Sequence, residues 1–255
     1  MIFDSHAHYD DESFNNDRYS LIEELHNEKG IVGILNCGVS LETSKTSVQL
    51  AEKYGFIYAA IGVHPEEAEE FNEEIVNELK ILAKNDKVKA IGEIGLDYYW
   101  DENPSKEVQK KVFIKQMELA KELNLPVVIH DRDAHSDTLE IIKMFPEVKG
   151  VVHCFSGSLE FARECLKAGY YIGITGVVTF KNAKKIIDVV KEVPMDKLLV
   201  ETDCPYMTPV PFRGKRNQSN YIEYVIEKIA EIKEMQKDEV ANITIENAKK
   251  FLKVW

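Results

Sequence analysis

Eight short apolar runs, each followed by a longer amphipathic stretch, recur along this 255-residue chain. The runs are IFDSHAH (2–8), VGILNCG (32–38), YAAIGVH (58–64), VKAIGEIG (88–95), PVVIH (126–130), GVVHCF (150–155), YYIGIT (170–175) and LLVETD (198–203). Several are apolar on both faces until their last residues, the pattern of parallel strands covered by helices. Helical periodicity fills the gaps at 19–30, 47–55, 71–84, 107–123, 136–145, 158–169, 183–193 and 220–233. Gly30 and Gly55 read as helix C-caps. A further helix, 242–255, spaces Ile245, Ala248 and Phe251 by three and is expected to pack on the outside. Eight strand-then-helix units in one chain of this length predict an α/β protein, a single (β/α)8 TIM barrel over residues 1–255 with an extra C-terminal helix. The rival is an open doubly wound sheet, which has fewer strands and one switch point.

Composition narrows the class without naming it. Apolar residues make up 44% and charged residues 30%, an ordinary globular balance. The opening residues are already polar and carry no basic stretch, so no secretory leader is expected, and no run approaches the ~20 apolar residues of a membrane helix. Four cysteines, Cys37, Cys154, Cys165 and Cys204, are widely spaced with no CxxC, so reduced thiols and a cytoplasmic setting are expected. The formal charge of -12 argues against nonspecific, charge-driven binding to duplex nucleic acid. It does not exclude a nucleic acid substrate, because metal ions in a pocket invert the local field. A monomer is the expected state.

Barrel strands should be apolar throughout, yet polar residues collect where these runs end: Asp4, His6 and His8, then His64, Glu93, His130, His153, Glu201 and Asp203. In a barrel these ends share one catalytic face. Residues i and i+2 of a strand point to the same side, so His6 and His8 can look inward together. Two imidazoles so placed suit a divalent ion. Their bland alternative is a pair of solvated histidines, and a bare HxH does not decide between the two. His6, His8, Glu93, His130, His153 and Asp203 make six candidate metal ligands. One zinc takes three or four, so six suit a two-metal centre. Glu93 in GEIGLD is the natural bridge, between Gly92 and Gly95, which permit close approach. Asp203 is the candidate to orient a water and accept its proton. Glu93 and Asp203 are therefore the catalytic candidates.

Around these, His64 in GVHP reads as a substrate contact or a supporting donor. Arg132, Arg213, Lys215 and Arg216 would suit an anionic substrate such as a phosphodiester, although each alone is more simply a solvated cation. Tyr206 and Phe212 could stack on a base, and Asp97, Tyr98, Tyr99 and Trp100 form another possible substrate-facing set. Cys154 and Cys204 are expected to face away from the mouth as buried small residues.

Taken together, DSHAHYD (4–10), GVHP (62–65), GEIGLD (92–97), PVVIHDRDA (126–134), HCFSG (153–157), ETDCP (201–205), RGKRN (213–217) and ENAKKF (246–251) resemble the TatD family of metal-dependent hydrolases. The resemblance runs from residue 4 to about residue 251 in the right order. It implies an amidohydrolase-like TIM barrel whose metal ligands correspond to His6, His8, Glu93, His130, His153 and Asp203. It also implies magnesium-dependent deoxyribonuclease activity, often 3'-to-5' on single-stranded DNA. One departure stands out: the family commonly carries a proline where this chain has Ser219, which bears on loop shape rather than chemistry.

The expected function is thus hydrolysis of a phosphodiester, DNA or a smaller one, with two divalent ions. Imidazole-rich ligation favours zinc or manganese over magnesium. An amidohydrolase acting on a cyclic amide or lactone is the first rival, but many such binuclear enzymes bridge their ions with a carboxylated lysine where this chain offers Glu93. A noncatalytic metal-binding protein is the second.

Overall fold

The computed structural model describes residues 1–254. Eight strands are present: β1 (Ile2–Ala7), β2 (Ile31–Cys37), β3 (Ile57–Ile61), β4 (Val88–Asp97), β5 (Val127–Arg132), β6 (Gly150–Val152), β7 (Tyr171–Ile174) and β8 (Leu198–Val200). They follow in sheet order β1 to β8, with no switch point. The helices are α1 (Arg18–Asn27), α2 (Leu41–Lys53), α3 (Glu73–Leu82), α4 (Lys106–Leu123), α5 (His135–Met144), α6 (Leu159–Lys167), α7 (Lys184–Glu192), α8 (Ile222–Lys233) and α9 (Lys237–Leu252). This is the (β/α)8 TIM barrel class with an added C-terminal helix, and the doubly wound alternative falls. No helix among the described residues is long and apolar enough to cross a membrane.

Element ends differ from the sequence reading for local reasons. Helix α2 starts at Leu41 because Ser40 and Thr43 form a reciprocal capping box. It ends with Tyr54 in extended backbone, so Gly55 is not the left-handed cap it was expected to be. Gly30 does adopt a positive φ of 71° after α1. The expected closing helix over 242–255 begins at Lys237 and stops at Leu252, and its last residue, Trp255, lies outside the described residues.

The chain divides into two compact units. One comprises Met1–Asn36, Cys154–Arg163 and the chain from Ile172 onward. In it β1 pairs in parallel with β2 and β7 with β8. Ala7 bridges Cys204, which joins the end of β1 to the segment after β8. Helix α9 buries Val240, Ala241, Ile245, Ala248, Phe251 and Leu252 along one face and packs on β1 and β8. Asn247 on that face donates to the carbonyls of Met195 and Leu198 at 2.7 and 2.8 Å, satisfying acceptors ahead of and within β8.

The other unit comprises Cys37–His153 and Glu164–Tyr171. Its strands β3 to β6 pair in parallel. Helix α4 buries Val112, Phe113, Met117, Leu119 and Ala120, and with them two glutamines. Gln116 spans both backbone groups of Val63, each at 2.8 Å. Gln109 does the same for Asp97, at 2.8 and 2.9 Å. Each such bond stabilises by about 0.5–1.5 kcal/mol. Their positional effect matters more, because they hold the segments bearing His64 and Asp97.

Candidate metal centre

In the first unit, β1 delivers His6 and the next turn His8. Their Nε2 atoms lie 3.0 Å apart, so the same-side reading of HxH holds. Asp203 Oδ1 stands 3.6 and 3.4 Å from those two nitrogens. Asp203 follows β8 with a positive φ of 57°, and its N–H donates to the His6 carbonyl at 3.0 Å. His8 N–H in turn donates to the Cys204 carbonyl at 2.9 Å. Backbone pairing between two distant segments thereby sets the side-chain cluster.

Asp4 supports this from beneath, fully buried. Its carboxylate accepts from the Thr202 hydroxyl (2.6 Å), the Ser219 hydroxyl (2.7 Å), Thr202 N–H (3.0 Å) and His6 N–H (3.3 Å). Burial raises its pKa from the ordinary range to about 6, against the pull of those bonds. Ser219, the departure from the family pattern, is therefore a working donor whose own N–H reaches the Tyr9 hydroxyl at 3.0 Å. Asp10, without an assigned role in the sequence reading, accepts from Asn36 Nδ2 at 2.6 Å.

In the second unit, one oxygen of the buried Glu93, Oε1, faces three imidazoles. His153 Nε2 is at 2.7 Å, His130 Nδ1 at 2.9 Å and His64 Nε2 at 3.6 Å. Gly95 makes this possible. It has φ 143°, and a Cβ there would sit 2.0 Å from the His130 carbonyl oxygen. Burial alone would keep His130 neutral, but hydrogen bonds to Asp97 and Glu93 raise its pKa to about 10. Burial, with the neighbouring His130, drives His64 down to about 3, so it is neutral. His64 Nδ1 accepts from Glu66 N–H at 3.3 Å, which places its proton on Nε2, toward Glu93. That is the geometry of a supporting donor.

Asp97 corrects the sequence reading. Rather than facing substrate, it is 1% exposed and its Oδ2 lies 3.0 Å from His130 Nε2. A carboxylate behind the second nitrogen of a histidine orients that ring and raises its basicity as a ligand. The sequence signal was available: Asp97 ends the longest strand, two residues past Gly95.

Both clusters fit a divalent ion. In the first, the ligand atoms of His6, His8 and Asp203 all lie within 4.8 Å of one another; in the second, Glu93 Oε1, His130 Nδ1 and His153 Nε2 lie 2.7–3.3 Å apart. Two imidazole nitrogens at 3.0 Å share at most one proton between them, whereas nitrogen and oxygen lone pairs converging on one point are what a transition ion takes.

The expected substrate residues divide. Tyr206, Arg213, Lys215 and Arg216 line one open cleft of about 820 Å³, together with Asp11 and Glu12. Tyr206 is 55% exposed, and its hydroxyl reaches Asp11 at 3.1 Å. Arg213 lies over the Phe180 ring at 4.1 Å and Lys215 over Phe212 at 5.5 Å. Arg216 is committed elsewhere: it makes a bidentate pair with Asp17 at 2.8 and 2.6 Å and donates to the Ser13 carbonyl. Phe212 stacks flat on Tyr221 at 4.5 Å, a packing role. Arg132 lies over the Tyr99 ring at 3.9 Å. Cys204 is buried as expected, but Cys154 is half-buried, with φ 41° and its N–H donating to Glu201.

Residues 3–253 match the family described as TatD related DNase. The chain is 50% identical over 256 residues to the Bacillus subtilis protein YabD, described as an uncharacterized metal-dependent hydrolase, with all of both chains covered. Among solved structures it is similar to YJJV, a TatD homologue from Escherichia coli K12, with TM-score 0.93 and 32% identity over 100% of this chain and 98% of that one. A hydrolase of the TatD family from Entamoeba histolytica matches with TM-score 0.87 and 27% identity, over 99% and 98%.

Proposed function

The chain belongs to the TatD-related family of metal-dependent hydrolases, and from that premise we propose that it hydrolyses phosphodiester bonds in DNA. His6, His8, Glu93, His130, His153 and Asp203 are the proposed ligands of two divalent ions. A bound ion there would supply Lewis acidity toward a phosphoryl oxygen and toward the attacking water. The protein's share is positional. Glu93 gathers the imidazoles on one oxygen, and Asp97 holds the His130 ring by its far nitrogen. Asp203, 8% exposed, is the proposed acceptor of the water's proton. Arg213 and Lys215, in the cleft after β8, favour an anionic substrate over a lactone or cyclic amide.

The observation that carries this reading is Glu93 Oε1 facing three ring nitrogens. The test compares single-stranded DNA, duplex DNA, RNA, an aryl phosphodiester and a lactone, using the unaltered chain, Glu93→Ala and Asp203→Asn. Both variants should lose more than the ~10–100-fold typical of removing a group behind a ligand. Variants that match the parent on every substrate would remove the centre, and turnover of the lactone alone would make the protein an amidohydrolase. Because the donor set is rich in imidazole, protein made without added metal should carry zinc or manganese rather than magnesium. Elemental analysis finding no transition ion above trace would refute that.

A further inference from the structure

The segment after β4 carries a second feature that the metal centre does not use. Tyr99 and Trp100 are 50% and 44% exposed, large rings that the fold leaves in water. They meet edge to face, with centroids 4.7 Å apart at 88°. The Arg132 guanidinium lies over both, at 3.9 Å from the Tyr99 centroid and 5.3 Å from that of Trp100. The group is rigidly tied to the His130 cluster. Asp97 Oδ1 accepts from Tyr99 N–H at 3.0 Å while its Oδ2 faces His130, and Arg132 stands two residues beyond His130 on β5. Tyr98 N–H donates to the Arg132 carbonyl at 2.9 Å, which locks the two segments together.

We propose that Tyr99, Trp100 and Arg132 form a nucleobase-stacking subsite for single-stranded nucleic acid, a reading that rests on the proposed phosphodiester hydrolysis. An exposed aromatic pair has π-faces to offer, and a base can use them only when unpaired. The guanidinium adds a planar cation with donors for the adjoining phosphate. Asp101 and Glu102, exposed acids immediately after Trp100, would repel phosphate, so the backbone runs on the Arg132 side. The overall charge of -12 makes a local, stacking-based grip more useful than a general basic surface.

The test is binding, measured in chelator so that no turnover intervenes, with a fluorescently labelled single-stranded oligonucleotide and the same strand made abasic. Trp100→Ala and Tyr99→Ala should each weaken the base-bearing strand about tenfold and leave the abasic strand nearly unchanged. Trp100→Phe, which keeps a ring, should retain most of the affinity. The chain has two tryptophans, so a Trp255→Phe background makes Trp100 the sole reporter, and the base-bearing strand should quench its emission. Unchanged affinity in both alanine variants would overturn the subsite, as would equal losses on both strands. Hydrolysis of an aryl phosphodiester by the unaltered chain separates the two ideas. Base-dependent binding without any diester turnover would refute the proposed function and keep the subsite. Diester turnover with base-independent binding would do the reverse.

Discussion

Replacing Gly95 by alanine should distort the His130 cluster without replacing any of its polar side chains. The added Cβ would lie 2.0 Å from the His130 carbonyl oxygen and 2.9 Å from the carbonyl carbon. Side-chain carbons do not approach backbone closer than about 3 Å, so β4 and β5 must separate locally by roughly 1 Å. Gly95 and His130 are register partners, and the neighbouring ladder bond from Tyr98 N–H to Arg132 is 2.9 Å long, so that shift breaks pairing. Backbone strain at φ 143° contributes about 1–3 kcal/mol. Overpacking contributes about 1–3 kcal/mol more. The sum, about 2–6 kcal/mol, corresponds to a fall in melting temperature of roughly 5–20 °C for a chain of this size. Thermal unfolding followed by circular dichroism measures it. Gly55→Ala is the internal control, since a Cβ there meets nothing within 4 Å and the backbone has no positive φ. It should be neutral or raise stability by up to about 1 kcal/mol. A Gly95→Ala protein melting within about 2 °C of its parent would refute the close-approach argument, whatever its activity.

Three other expectations follow from separate contacts. Asp97→Asn should weaken divalent-metal affinity about 10–100-fold, read by competition against a chelating dye, because the carboxylate behind His130 Nε2 is lost; unchanged affinity would deny Asp97 its orienting role. Arg216 holds Asp17 below its ordinary carboxylate pKa of 3.8, so the pair stabilises above that pH and the stabilisation is lost as pH falls through the lowered folded value. Arg216→Ala should therefore flatten the acid limb of a stability profile below about pH 4 and cost at most about 1 kcal/mol at neutral pH, the pair being partly exposed; an unaltered acid limb would contradict the assignment. Cys37, Cys165 and Cys204 are fully buried, and burial pushes the Cys165 thiol up to about 12. An aromatic disulfide reagent should thus titrate only Cys154 quickly in the native protein, and two or more fast thiols would show the burial to be wrong.

The strands and the grouping of the candidate ligands were legible in the sequence because both depend on short-range periodicity. A strand's period of two puts His6 and His8 on one side, and the two Nε2 atoms at 3.0 Å are that rule made visible. Apolar runs likewise flagged Glu93, His130 and His153, although only His153 lies just past its strand; Glu93 and His130 lie inside β4 and β5, which run on to Asp97 and Arg132. Contacts that reach across the chain were not legible. Nothing in a string of letters says that Gln109 would clamp Asp97 from twelve residues away, or that Ser219 would reach back to Asp4. Side-chain direction past a strand end was equally hidden: Asp97 and Tyr99 are two residues apart, yet one is buried against His130 and the other half in water. The alternation rule fails there because the strand stops at Asp97. Beyond that point the backbone is set by a hydrogen bond from Tyr99 N–H to Asp97 itself. The same carboxylate therefore does two things, one oxygen holding the His130 ring and the other holding the loop that carries the exposed aromatics. A change in that loop should reach His130 through Asp97, and a change at His130 should reach the aromatic pair, because both readouts share one buried side chain.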